Sequence, residues 1–323
     1  MKRLIAALLA LVTLTLLTAC GVKPNDSRVV LKLDGEKVYY DYYRYVFMNS
    51  KRDMDGGDAS YWTRHPEAEA ALRESVMEVL LHYRAVQRLA EKYDVRLTKA
   101  QKQAIKDDLA AAKAATSGGE AAYLASLEEA YMSEYALLYI RELTELWSQL
   151  YDYVTDEMNG IIACSDEVLD ADIPKNFRRI RYVYIAKDAE HPEATAAIAE
   201  EVSEKAADGA DFNGLIEEYG EDPDMDRLLA DGYYYTLGAI DEDVQKAVEL
   251  LAEGEIAPVI EVSYGYYVVQ RLGLDDAYVN KNYESFRAQY CARIFNEMLK
   301  TEAEAVKITY EELFEELTVA SMS

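Results

Sequence analysis

The sequence predicts an α+β protein, a helical body that carries a small mixed domain. Over residues 66–154 apolar side chains recur at three- and four-residue steps, the pattern of amphipathic helices. After Pro174 the period shortens, and β-branched and aromatic residues crowd into "RRIRYVYIAKD", "GYYYTLG", "APVIEV" and "YYVVQRL". From about residue 280 the helical step returns, with Tyr283, Phe286, Tyr290, Ile294 and Met298 near one stripe.

Each element has its own signal. Val30, Leu31 and Leu33 alternate, Gly35 makes a turn, and the aromatic run "YYDYYRY" reads as a helix. Pro66 opens a long helix whose stripe is Leu72, Val76, Val79, Leu80, Tyr83, Val86 and Ala90. Thr98 and Gln101 form a capping box for the next helix, which "TSGGE" ends. A further long helix is expected from about Glu120 to Val154, carrying Tyr123, Leu127, Tyr131, Leu138 and Trp147.

The strand "RRIRYVYIAKD" is followed by a helix starting at Pro192, with Ala194, Ile198, Val202 and Ala206 on one face and Gly209 past its end. Asp211 caps a short helix with Phe212, Leu215, Ile216 and Tyr219; "GYYYTLG" is a strand. Asp241 caps a helix with Val244, Ala247, Val248 and Leu251, which Gly254 terminates. A hairpin turns at Tyr264-Gly265. A lone terminal helix cannot bury its stripe, so the last one is expected to pack on the N-terminal helices. The expected divisions are 1–19, 20–27, 28–177, 178–274 and 275–323.

The first 19 residues form a leader. Lys2 and Arg3 precede an apolar run over 4–19, shorter than the roughly 20 residues of a membrane span. Leu17-Thr18-Ala19-Cys20-Gly21 resembles the bacterial lipobox, which implies acylation of Cys20 and a lipid anchor on the extracytoplasmic face of a bacterial membrane. Each buried CH₂ is worth about 0.8 kcal/mol and one chain anchors only marginally, so stable attachment takes several. An ordinary signal peptide with a chance cysteine is the other reading.

The chain carries a net charge of −26, and losing Lys2 and Arg3 deepens it to −28. That makes it a poor ligand for nucleic acid, whose phosphates need cationic side chains. Beyond Cys20 only Cys164 and Cys291 remain; a disulfide between them and two buried free thiols are both open. No metal or cofactor is expected. "DPDMD" at 222–226 starts like a calcium loop, but Arg227 stands where its glycine belongs and Tyr233 where its glutamate belongs. No nucleophile elbow or phosphate loop is present in the sequence.

"GADFNGLIEEYGEDP" and "DGYYYTLGAIDEDVQKAVELLAEGEIAPVIEVSYGYYVVQRL" resemble the parvulin family over about residues 178–274. The resemblance implies a βαααβαββ domain that catalyses peptidyl-prolyl cis-trans isomerisation. The layout as a whole is similar to extracytoplasmic foldases of the PrsA/SurA kind, in which a helical chaperone domain of N-terminal helices and a returning C-terminal helix carries the parvulin domain. It implies unfolded exported polypeptides as partners. Residue by residue, Ile240 and Val244 take the family's Met and Phe positions in the proline pocket, and Asp222 takes its Cys or Asp position. Core packing for the first two and a solvated turn for the third are the plain alternatives.

Two departures stand out. The family's paired histidines fall at Tyr182 and Tyr267, and its usual Thr before the last hairpin is Val262. A phenol can still donate a hydrogen bond and stays neutral near pH 7. Rotation about a peptide bond transfers no proton, so the exchange is compatible with weakened activity. Three functions follow: an isomerase using Asp222, Tyr182 and Tyr267 over Ile240 and Val244; a non-catalytic chaperone on the same fold; and a solute-binding lipoprotein, which the long helical half disfavours. The 27 tyrosines, against six phenylalanines, suit either a client-binding cradle or substituted core positions.

Overall fold

The computed structural model describes residues 22–58, 60–188 and 191–322; the leader and Cys20 lie outside them. Two compact units are present, Met1–Tyr153 with Met298–Ser323, and Val154–Glu297.

The first unit opens with a hairpin of β1 (Val29–Leu33) and β2 (Glu36–Tyr39). Its two-residue turn has Asp34 at φ 53° and Gly35 at φ 89°, the left-handed pair that matches strand twist. Helices α1 (Tyr40–Asp55), α2 (Tyr61–Arg64), α3 (Ala68–Lys92) and α4 (Lys99–Ala115) follow. The box at Thr98 and Gln101 is closed in both directions.

The single helix expected over 120–154 is two, α5 (Gly119–Glu129) and α6 (Glu134–Thr155). Tyr131 turns to φ 55°, and the Ser133 hydroxyl accepts the Ala136 N–H at 3.1 Å, starting a new helix. The apolar step continues across the break, so periodicity alone does not reveal it. In the core, Tyr42 and Tyr43 are buried with hydroxyls that lack a hydrogen-bond partner; they serve as phenylalanine surrogates.

Glu142 on α6 is only 1% exposed, and neither carboxylate oxygen has a hydrogen-bond partner. Lys102 Nζ stands 3.8 Å away, beyond hydrogen-bond range. Burial holds this carboxyl above its ordinary range, against the pull of Lys102 and Lys106. A raised folded-state value means the group favours folding below its unfolded value and loses that contribution as pH rises through the folded one. Glu142→Gln is therefore expected to raise the melting temperature at pH 7, with the gain vanishing by pH 4; equal gains at both pH values would contradict this.

The second unit starts with α7 (Asp166–Asn176), β3 (Phe177–Ala186), α8 (Pro192–Ala207), α9 (Phe212–Tyr219) and α10 (Pro223–Arg227). Then come β4 (Tyr233–Thr236), α11 (Glu242–Glu249), β5 (Ile260–Val262), β6 (Gly265–Leu272), α12 (Asp276–Lys281) and α13 (Tyr283–Glu304). From β3 to β6 the order is βαααβαββ. The sheet runs β4-β3-β6-β5 with every pair antiparallel. Successive side chains alternate between its faces. Val183, Ile185 and Val268 meet Val202, Phe212 and Ile216 of α8 and α9 on one face. Ile180, Tyr235 and Val269 meet Val244 and Val248 of α11 on the other. On α8 the buried line is Thr195, Ala199, Val202 and Ala206; Ile198, expected on it, is 40% exposed.

The terminal stripe divides. Phe286 packs on Phe177 at 5.0 Å and on Tyr234 at 5.6 Å between ring centroids, so the first part of α13 belongs to the second unit. The units therefore divide at 153/154 and 297/298, whereas the sequence places divisions at 177/178 and 274/275. Back in the first unit from Met298, the chain adds β7 (Ile308–Tyr310), which pairs with β1, then α14 (Glu312–Glu316) and α15 (Val319–Met322). Phe314 sits edge-on to Tyr43 at 6.0 Å. Among the described residues no helix is long and apolar enough to cross a membrane, and no cluster of His, Cys, Asp and Glu could hold a metal ion.

Candidate active site

The second face of the sheet carries a row of tyrosines. Tyr182 and Tyr184 sit two apart on β3, and Tyr184 lies directly opposite Tyr267 on β6, so period two puts all three rings on one side. Tyr267 meets Tyr182 at 5.4 Å, Tyr184 at 4.9 Å and Tyr264 at 6.4 Å. Tyr233 of β4 extends the row, edge-on to Tyr182 at 6.4 Å. These spacings are those of aromatic contact. Tyr182, Tyr184, Tyr233 and Tyr267 are each half-buried, and Tyr264 is exposed at the hairpin tip.

Asp222 reaches this row from the start of α10. Its Oδ1 accepts the Asp224 N–H at 2.9 Å, capping the helix, and its Oδ2 accepts the Tyr182 hydroxyl at 2.6 Å. A 2.6 Å phenol–carboxylate bond is short and charge-assisted. Burial first, then this hydrogen bond and the charge of Asp222, push the Tyr182 phenol well above its ordinary range, so it stays protonated. Tyr267 is pushed the same way by burial and by a side-chain hydrogen bond with Tyr264. The Tyr182 backbone N–H points at Met225 Sδ, 3.4 Å away, one turn along from Asp222.

Ile240 is half-buried just before α11, and Val244 is buried one turn later; both pack in the cluster that includes Tyr182 and Tyr267. The structure thus gathers Asp222, Tyr182, Tyr267, Ile240 and Val244 on one side of the sheet. Val244 is 4% exposed, and Ile240 is the more accessible of the two. Tyr184, Tyr233 and Tyr264 also belong to the row and are missed from sequence, as is Met225, which supports Tyr182 from the core cluster on the other face. Alternation along β3 points to Tyr184, but nothing local links Met225 to a strand 43 residues earlier.

The hairpin that presents Tyr264 and Tyr267 is held firmly. The Tyr264 carbonyl accepts the Lys187 N–H at 3.0 Å and the Tyr184 hydroxyl at 3.1 Å. Gly265 allows the Tyr184 ring to close on the turn. The histidines lie elsewhere: His191 is exposed against Asp188 at 3.0 Å, His65 stands 3.4 Å from Glu67, and His82 is half-buried on α3.

The arrangement is an aromatic shelf with a carboxylate at one end and phenol hydroxyls along it. It can pack a five-membered aliphatic ring, exclude water from an adjoining amide and set hydrogen-bonding groups beside it. No step in such chemistry needs a metal ligand or a nucleophile.

Residues 180–272 match the Rotamase family, described as a PPIC-type PPIASE domain. The matched segment lies within the second unit. Among solved structures the chain is similar to the foldase protein PrsA from Streptococcus pneumoniae, at 18% identity over 80% of this chain and 94% of that one, with a TM-score of 0.36. The peptidylprolyl isomerase PrsA from Bacillus anthracis aligns at 16% identity over 70% and 96%, with a TM-score of 0.34. The parvulin domain of PpiD from E. coli aligns at 24% identity over 32% and 95%, with a TM-score of 0.25. No curated protein sequence matches.

Proposed function

We propose that this chain is a peptidyl-prolyl cis-trans isomerase that assists the folding of exported polypeptides, held at the outer face of a bacterial membrane by acylated Cys20. The observation that carries the catalytic reading is the 2.6 Å bond from Tyr182 to Asp222 above Ile240 and Val244, inside a PPIC-type domain.

Amide resonance places negative charge on the carbonyl oxygen and gives the C–N bond its barrier of about 18–20 kcal/mol. A carboxylate held close to that oxygen disfavours the charge-separated planar form. Twisting frees the nitrogen lone pair, which can then accept a hydrogen bond. The half-buried shelf excludes water that would otherwise stabilise the planar ground state. Binding is therefore stronger to the twisted amide than to either planar isomer, which is what catalysis of this rotation requires. Tyr182 and Tyr267 replace ring nitrogens as neutral donors, and burial keeps both phenols in that state.

Exchange measurements on short Xaa-Pro peptides test the reading. Asp222→Ala is expected to lower kcat/KM about tenfold or more, equal to about 1.4 kcal/mol of transition-state stabilisation. Tyr182→Phe is expected to cost less, since the carboxylate remains. Wild-type exchange no faster than in buffer would replace this proposal with a client-binding chaperone on the same fold, a reading favoured by tyrosine at both histidine positions. For the anchor, Cys20→Ser is expected to move the protein from the membrane to the soluble fraction; unchanged membrane attachment would remove the lipid from the proposal.

A further inference from the structure

We propose that Cys164 and Cys291 form a covalent cross-linking site, in which an intramolecular disulfide ties the segment between α6 and α7 to α13. Both are free, buried thiols, each 5% exposed, and Cys164 is among the groups that act on Cys291. Both belong to the second unit.

The backbones on either side are fixed by other groups. One turn before Cys291, the Arg287 guanidinium donates to the Cys164 carbonyl and pairs with Asp166 at 2.6 Å. One residue before Cys291, the Tyr290 hydroxyl donates to the Ala163 carbonyl at 3.1 Å. Two turns before, the Tyr283 hydroxyl donates to the Asp166 carbonyl at 3.1 Å and to Asp170 Oδ1 at 2.8 Å. Five contacts thus hold the two segments together around the sulfurs, so the native fold already meets the entropic cost of bringing the thiols together. The charged groups among those acting on Cys291 are Arg287 and Glu157.

The reaction is thiol–disulfide exchange with a small-molecule or protein disulfide as oxidant. One cysteine thiolate attacks the oxidant's S–S bond, giving a mixed disulfide and one thiolate leaving group. The second cysteine then displaces the remaining oxidant sulfur. Two cysteine thiols lose two electrons, and the oxidant disulfide is reduced to two thiols that take up the two protons. Burial, then the neighbouring Cys164, push the Cys291 thiol up to about 12, which lowers its thiolate fraction and slows the exchange.

The closed loop would contain residues 165–290 and with them all four strands of the β4-β3-β6-β5 sheet. A loop of that length restricts the unfolded chain strongly. The cross-link would therefore secure the isomerase domain as a whole.

The test uses the full chain carrying Cys20→Ser, which leaves two thiols, incubated while folded with oxidised glutathione. The thiol count after denaturation is expected to fall from two to zero and the mass by about 2 Da. Proteolytic peptides should contain Cys164 joined to Cys291, and the melting temperature should rise by about 5 °C or more. Dithiothreitol should reverse all of these. Two thiols persisting just below the melting temperature, glutathione adducts on both cysteines, links between separate chains or a lowered melting temperature would each overturn the proposal. Peptide mapping of the chain with Cys20 intact gives the same decision should Cys20→Ser fold poorly. None of these readouts depends on isomerase activity.

Discussion

Gly265→Ala is expected to destabilise the isomerase unit by about 2–3 kcal/mol, the cost of overpacking a closed site. A Cβ at this position would lie 2.4 Å from Tyr184 Cε2 and 2.6 Å from the Ile185 carbonyl oxygen. Gly265 also pairs with Ala186 on one side and Val262 on the other, so it cannot retreat without breaking a ladder. The ring would have to leave as well, and Tyr184 packs at a tilt against Tyr267. Stability and prolyl exchange should therefore fall together. Urea unfolding of the full chain measures the first. A loss under about 0.5 kcal/mol would mean that the turn is looser than this packing implies.

Arg293→Ala is expected to cost about 3–4 kcal/mol, because it strands a buried carboxylate. Arg293 and Asp172 pair at 2.6 Å with side chains only 12% and 13% exposed. The guanidinium Nε also donates to the Thr236 hydroxyl at 3.0 Å, so one side chain ties α13 to α7 and to β4. After truncation Asp172 Oδ1 keeps only the Asn176 amide at 2.7 Å, and Oδ2 has no partner even in the intact protein. Removing both charges should be milder than removing the arginine alone, since no uncompensated charge is then left inside. The cycle of Arg293→Ala, Asp172→Ala and the double substitution, followed by urea unfolding, gives the coupling. Strict additivity would show that the pair is effectively solvated.

The second prediction concerns a contact that sequence patterning misplaces. The stripe Phe286, Tyr290 and Ile294 signals a buried helix face but carries no address. Phe286 instead meets Phe177 and Tyr234, and Tyr290 meets Ala163. The same holds for the excess of tyrosine. Tyr42, Tyr43 and Tyr235 are core positions with unpartnered hydroxyls, while Tyr182 has its hydroxyl on Asp222; in sequence all four look alike. The break at Tyr131 was invisible because both helices keep the same apolar step across it.

What the sequence by itself determined is local: the strands and longer helices around residues 178–274 in their order, without the short α10, the caps at Thr98, Asp211 and Asp241, and the hairpin turns at Gly35 and Gly265. Caps and turns are made by residues a few positions apart, and strand or helix periods repeat within one element, so residue type alone specifies them. Only the tertiary structure decided which hydroxyl reaches Asp222 from 40 residues away and where the terminal helix packs. Those contacts arise when several elements bury their faces at once, and the free energy that selects them is shared among all the surfaces involved.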